Sequence, residues 1–140
     1  MGSRRDDRKL LLLVEDDQIY GEFIIHAISD GRLPFQIKHV TNLDDAVAYV
    51  SGQPPYGDRQ THPMPSVVLL DVKLAAQSGF PLLRWLRDHG ELRDEKTRVV
   101  VLTGSDRTED VQEALELGAL SYLVKSPFPS SVIELLWRLT

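Results

Sequence analysis

Cysteine is absent from the 140 residues, which excludes disulfide scaffolds, thiol nucleophiles, zinc fingers and iron–sulfur clusters together. No apolar run is longer than the five residues of Leu10–Val14, far short of the roughly 18 to 20 that a membrane helix needs. There is no excess of basic charge either. Sixteen Lys and Arg stand against 21 Asp and Glu, a net charge of −5, so no overall field draws the chain to nucleic acid or anionic lipid. The glycine fingerprints of dinucleotide and P-loop sites are missing, as is a nucleophile elbow, and His26, His39, His62 and His89 show no metal-ligand spacing. Residues 1–8 lack the apolar stretch of a secretory signal and read as a solvated leader to a single domain over 9–140. A cytoplasmic address is the expectation, with no nucleic-acid or membrane partner.

What is present is a repeat of strand and helix signals. Leu10–Val14, Val67–Leu70 and Val99–Leu102 are continuous apolar runs of strand length, as befits strands covered on both faces. Gln36–Val40 and Ser121–Val124 complete five. Between and after them lie stripes of helical period, among them Ile24, Ala27 and Ile28, then Leu82, Leu83 and Leu86, and finally Val132, Leu135, Leu136 and Leu139. Thr41 with Asp44 and Ser131 with Glu134 have capping spacing, and Gly31, Gly90 and Gly118 fall where helices should stop. Five βα units predict an α/β domain with a doubly wound parallel sheet and five helices. Ser51–Pro65, with four of the eight prolines, is the one long loop.

In such a sheet ligands bind beyond the carboxyl ends of the strands. Those ends carry Glu15, Asp16 and Asp17 after the first strand, Asp71 after the third, Thr103 at the fourth and Lys125 at the fifth. Clustered carboxylates repel one another unless a hard cation sits between them. An all-oxygen donor set favours Mg²⁺, or Mn²⁺, over zinc. Asp71 can then act as a nucleophile toward a phosphoryl group whose oxygens are held by the metal, Lys125 and Thr103.

The pieces LLLVEDD (Leu11–Asp17), VVLLD ending at Asp71 with Gly79 beyond it, VVVLTG (Val99–Gly104) and YLVK (Tyr122–Lys125) resemble the receiver domain of two-component response regulators, over Leu10 to Thr140. The resemblance implies a flavodoxin-like strand order 2-1-3-4-5. It implies Asp71 as phospho-acceptor, Glu15 and Asp16 as the metal-site pair with the main-chain carbonyl of Lys73 as a further ligand, Thr103 as switch hydroxyl, Tyr122 as switch aromatic and Lys125 as the phosphate-pairing cation. It implies a sensor histidine kinase as donor and a downstream protein as target, reached through the fourth helix, fifth strand and fifth helix. The proline-rich insertion is similar to that of single-domain regulators associated with bacterial phytochromes.

Three departures from the family pattern stand out. Ala75 replaces the proline commonly found four residues after the acceptor, which leaves that loop less constrained. Lys125-Ser126-Pro127 replaces a Lys-Pro step that is often cis, so the backbone there must be strained or rearranged. Lys73 carries a charge at a position more often neutral or acidic, and is expected either to pair with Glu15 or Asp16 or to point to solvent with only its carbonyl at the site. On the last helix, Ile133 and Trp137 lie off the inward stripe and predict a homodimer patch. Two other classes compete with the phospho-accepting switch. An aspartate-nucleophile phosphatase would want an acid where Lys73 stands, and a phosphorylation-independent binding module would have the fold without the chemistry.

Overall fold

The computed structural model describes residues 8–140, so the greater part of the expected leader lies outside the described residues. The strands and helices alternate as β1 (Lys9–Val14), α1 (Gln18–Asp30), β2 (Phe35–Val40), α2 (Leu43–Ser51) and β3 (Val67–Leu70). A small hairpin of β4 (Lys73–Leu74) and β5 (Gln77–Ser78) follows, then α3 (Phe80–Asp88), β6 (Arg98–Thr103), α4 (Thr108–Glu116), β7 (Ser121–Val124) and α5 (Ser130–Arg138). The five long strands form one parallel sheet in the order β2-β1-β3-β6-β7. Counted without the hairpin, this is the order 2-1-3-4-5, and the flavodoxin-like expectation holds.

The continuous apolar runs are explained by two cores on opposite faces of this sheet. Leu10, Leu12 and Val14 of β1 pack with Val68 and Leu70 against helices α2, α3 and α4. Leu11 and Leu13, with Val67 and Leu69, pack against α1 and α5. Successive side chains alternate between faces, so a strand covered on both sides has no position left for a polar residue. Full burial of each such Leu or Val contributes roughly 2 kcal/mol.

The helix boundaries refine the sequence reading. Asn42 rather than Thr41 caps α2: its Oδ1 accepts from the Asp45 N–H at 2.8 Å, and its Nδ2 donates back to Asp45 Oδ2 at 3.0 Å. This is the reciprocal arrangement expected, moved one residue along, because Asn caps as well as Thr does. Ser131 lies within the first turn of α5, where Pro129 is the cap and no side chain bonds to the helix end. Gly31 caps α1, while Gly90 and Gly118, at φ +75° and +106°, follow the ends of α3 and α4.

The proline-rich loop is ordered from within. Arg59 sends Nη1 to the carbonyls of Tyr49 (2.8 Å) and His62 (3.2 Å), and Nη2 to that of Val50 (2.7 Å). It thus places a cation and its donors at the C-terminal end of α2, where the Tyr49 carbonyl also accepts from the Gly52 N–H. Tyr49, fully buried, donates its hydroxyl to Pro63 O at 3.0 Å, and its ring meets those of Tyr56 and His62. On α3, the Trp85 and His89 rings are stacked 3.9 Å apart, and His89 Nδ1 bonds to Trp85 O.

Candidate functional site

Four strands deliver the site. β1 and β3 are in register with Val14 opposite Leu70, and β6 pairs with β7 so that Thr103 faces Val124. The next residue along each of β1, β3 and β7 therefore emerges at one edge: Glu15, Asp71 and Lys125. Local bonds hold this edge together. The Asp71 N–H donates to Val14 O (3.0 Å), the Lys125 N–H to Thr103 O (2.7 Å) and the Glu15 N–H to Val40 O (3.0 Å).

Glu15, Asp71 and Thr103 are buried, at 2%, 3% and 0% exposure, at the edge of a largely apolar core. Each has partners. Lys125 Nζ lies 2.7 Å from Glu15 Oε1 and 2.9 Å from Asp71 Oδ2. The other Asp71 oxygen, Oδ1, accepts from the Thr103 hydroxyl at 2.6 Å and from the Lys73 N–H at 2.9 Å. The Asp17 N–H donates to Glu15 Oε2 at 3.2 Å, and Asp17 itself caps α1 through the Tyr20 N–H. Among the three consecutive acids, Asp17 thus serves the helix, while Glu15 and the exposed Asp16 join Asp71 in a group whose carboxylate oxygens lie within 4.8 Å of one another.

Burial pushes the Glu15 carboxyl up to about 7, and the Asp71 charge adds to the rise, against the opposing Lys125 and Asp17 hydrogen bonds. Burial pulls the Lys125 ammonium down, but its bonds to Glu15 and Asp71 outweigh that and leave it raised. The same ammonium lies 4.6 Å from the centroid of the Tyr20 ring, a cation–π contact. Tyr20 was not legible as a site residue, since a tyrosine in the first turn of an amphipathic helix reads as packing.

The hairpin after Asp71 brings Lys73 and Ala75 into focus. The Gly79 N–H bonds to Val72 O, and Lys73 pairs with Ser78, so the antiparallel alternation leaves the Lys73 carbonyl outside the ladder. A Cβ on Gly79 would lie 2.5 Å from Asp71 O, so only glycine lets this return pass so close beneath Asp71. Ala75 turns the hairpin at φ +49°. Proline, fixed near −65°, could not stand there. The charged pairing expected of Lys73 is corrected: its Nζ is 3.9 Å from Asp110 Oδ2 on α4, with the side chain 54% exposed. A flexible stem on a solvent-facing hairpin strand reaches the helix across the groove rather than Glu15 or Asp16.

The backbone after Lys125 is rearranged without strain. The cis bond among the described residues is Pro54–Pro55, so Lys125–Ser126 is trans, and no residue of the Lys125-Ser126-Pro127 step has positive φ. Ser126 Oγ accepts from the Phe128 N–H at 3.1 Å and makes a local turn. The half-buried Tyr122 donates its hydroxyl to Ser105 O at 2.8 Å, in the loop that follows Thr103.

Residues 11–136 match the response regulator receiver domain. The chain belongs to this family. Within it, this receiver is 27% identical over 126 residues to response regulator Rcp1 of Synechocystis, covering 90% of the chain and 82% of the relative. The crystal structure of Mn²⁺-bound Rcp1 superposes with a TM-score of 0.77 at 25% identity, covering 94% of this receiver and 91% of that chain. The bacteriophytochrome response regulator RtBRR superposes at 0.79 with 30% identity, over 94% of this receiver and 78% of the other chain. The receiver also matches the transcriptional regulatory protein GltR of Pseudomonas aeruginosa, 34% identical over 92% of its own length but only 46% of GltR.

Of the two residues expected to form a dimer patch, Trp137 is 48% exposed. Ile133 is not: it is partly buried against the α1/α5 core, with its Cγ2 beside Gly31 at the end of α1. The missing side chain of Gly31 lets the helices approach there, and the i, i+4 spacing on α5 could not show that.

Proposed function

We propose that this receiver is a phospho-accepting switch that takes a phosphoryl group onto Asp71 from a sensor histidine kinase. The observation that carries the reading is the double hold on Asp71: Lys125 on one carboxylate oxygen, Thr103 and the Lys73 N–H on the other. An Asp71 oxygen attacks phosphorus, the phosphorus–nitrogen bond of the donor phosphohistidine breaks, and imidazole leaves. Lys125 and Thr103 are placed to bond the phosphoryl oxygens once that group arrives. Glu15, Asp16, Asp71 and the Lys73 carbonyl would hold Mg²⁺ or Mn²⁺, which neutralises charge on the transferring oxygens when bound. The hard, all-oxygen donor set, with one carboxylate open to solvent, fits such an ion.

The switch follows from charge. An aspartyl phosphate brings nearly two negative charges, which draws the Thr103 hydroxyl and the loop behind it inward. Ser105 of that loop holds Tyr122 by its carbonyl, so the movement changes the α4–β7–α5 face. Exposed Leu115, Leu120 and Val124 give that face an apolar contact surface for a downstream protein, and Trp137 on α5 is placed to join a homodimer. An apolar groove of about 480 Å³ beside Lys125, lined in part by Ile19, Phe23 and Pro127, suits the kinase domain that presents phosphohistidine. The likeness to Rcp1 and RtBRR favours a bacterial phytochrome as the sensor and a cytoplasmic, single-domain regulator as the protein; no helix among the described residues is long and apolar enough to cross a membrane.

Intact mass after incubation with acetyl phosphate and Mg²⁺ tests this. The parent should gain one phosphoryl group and Asp71→Asn none. A gain in neither protein would leave a phosphorylation-independent binding module, and an equal gain in both would place the chemistry elsewhere.

A further inference from the structure

His39 showed no metal spacing in the sequence, and it is not among the clustered carboxylates. It stands on β2 opposite Leu13 of β1, so its ring lies on the face covered by α1. Its Nε2 is 2.8 Å from the main-chain oxygen of Glu15. A carbonyl only accepts, so Nε2 carries a hydrogen, and both the neutral Nε2–H tautomer and the imidazolium meet that need. The Glu15 N–H is already bonded to Val40 O of the same strand. The peptide unit on each side of the Glu15 Cα is therefore tied to β2, one by backbone and one by a side chain.

The room for this ring comes from α1. Gly21 lies in the interior of the helix, where glycine costs about 1 kcal/mol relative to alanine. A Cβ at that position would lie 2.5 Å from His39 Cε1 and 2.9 Å from Nε2. No alanine fits while the ring stays where it is. The glycine weakens the helix locally and admits an imidazole between α1 and the turn that carries Glu15 and Asp16, two of the three clustered carboxylates.

We infer that His39 and Gly21 form a latch that positions the Glu15–Asp16 turn for divalent cation binding, His39 as the positioning residue and Gly21 as its notch. The inference rests on the proposed cation site. With the latch made, the turn keeps one conformation whether or not a cation is present, and little ordering is left for binding to drive. With the ring displaced, the Glu15 carbonyl loses its donor, the turn samples other conformations, and the productive one is only a fraction of the population, which weakens apparent affinity by that fraction.

Mn²⁺ titration of the full chain, followed by the electron paramagnetic resonance of free Mn²⁺, tests the latch without any phosphoryl chemistry. His39→Phe keeps a ring of similar shape and removes the donor; Gly21→Ala keeps the donor and removes the notch. Both should bind Mn²⁺ about tenfold more weakly than the parent, the lower end of what outer-shell partners of metal sites contribute. His39→Gln, which can still donate to the carbonyl, should stay close to the parent. In the His39→Gln background Gly21→Ala should cost much less than it does alone, because the clash is with the imidazole. Thermal unfolding of each variant separates a latch from mere packing: a packing role lowers the melting temperature and leaves the affinity of the folded protein unchanged. If the parent binds Mn²⁺ and His39→Phe binds it equally well, the latch is refuted while the cation site stands. If the parent binds none, the cation site fails and the latch with it.

Discussion

The buried Glu15 carboxylate makes a quantitative test possible. Its pKa rises from an ordinary 4.5 to about 7 in the folded, metal-free protein, chiefly through burial. A carboxyl with a raised folded pKa is held more favourably when protonated, so its share of stability is complete below pH 4.5 and is lost as pH climbs through 7. Integrating the difference in bound protons between pH 5.5 and pH 8 gives a loss of about 2 kcal/mol from this one group. Glu15→Gln removes the titration while keeping shape. Its amide can offer only one acceptor where Glu15 serves both Lys125 and the Asp17 N–H, so a constant penalty at every pH is expected, and the slope is the quantity to read. Urea unfolding with EDTA at pH 5.5, 6.5, 7.2 and 8 should show the parent losing about 2 kcal/mol more than the variant across the range. Stability curves that run parallel would show that Lys125 fully compensates the buried charge and would refute the reasoning.

Lys125→Met leaves Glu15 and Asp71 buried without their cation, which should cost the metal-free protein roughly 3 to 5 kcal/mol in urea unfolding; Mn²⁺ should restore part of this, since a divalent ion answers the same charges. Arg59→Ala strips donors from three carbonyls and should destabilise by about 2 to 3 kcal/mol, with faster proteolysis of the proline-rich loop. Ala75→Gly relieves a left-handed conformation and should add up to about 1 kcal/mol, whereas Ala75→Pro, incompatible with φ +49°, should lose about 3 kcal/mol or more; equal stability of the two variants would contradict the turn geometry. Tyr20→Leu should slow phosphorylation of Asp71 by acetyl phosphate several-fold through loss of the ring beneath Lys125, and Tyr20→Phe, which keeps that ring, should not.

The sequence was most readable where one physical rule acts alone. Strands covered on both faces must be apolar at every position, so Val67–Leu70 was placed to the residue; the weaker edge run Ser121–Val124 also matched its strand, and the strand ends then led directly to Glu15, Asp71, Thr103 and Lys125. Where two local choices are nearly equal in energy the reading slipped by one residue, as with Thr41 and Asn42. Where tertiary contact decides, it failed. Lys73 has a flexible stem that reaches Asp110 on a helix remote in sequence, and Ile133 is covered because Gly31 lets α1 approach. Four prolines marked Ser51–Pro65 as irregular, yet irregular is not loose: the Arg59 fork binds carbonyls of Tyr49, Val50 and His62, an arrangement that no periodic pattern encodes. Gly21 was the one available clue to His39, a glycine costing helix stability with no turn to justify it.

The stacking on α3 makes the two tryptophans distinguishable optical probes. The two tryptophans sit on opposite faces of the sheet, Trp85 against the α2–α4 core with an imidazole over its indole, and Trp137 on α5 and 48% exposed. A collisional quencher such as iodide should therefore reach Trp137 first. Emission that becomes resistant to iodide on self-association would report coverage of the α5 face, while emission from Trp85 would follow the α3 side undisturbed. Replacing either residue by phenylalanine would leave a single-tryptophan receiver in which each face can be watched separately, without an attached dye.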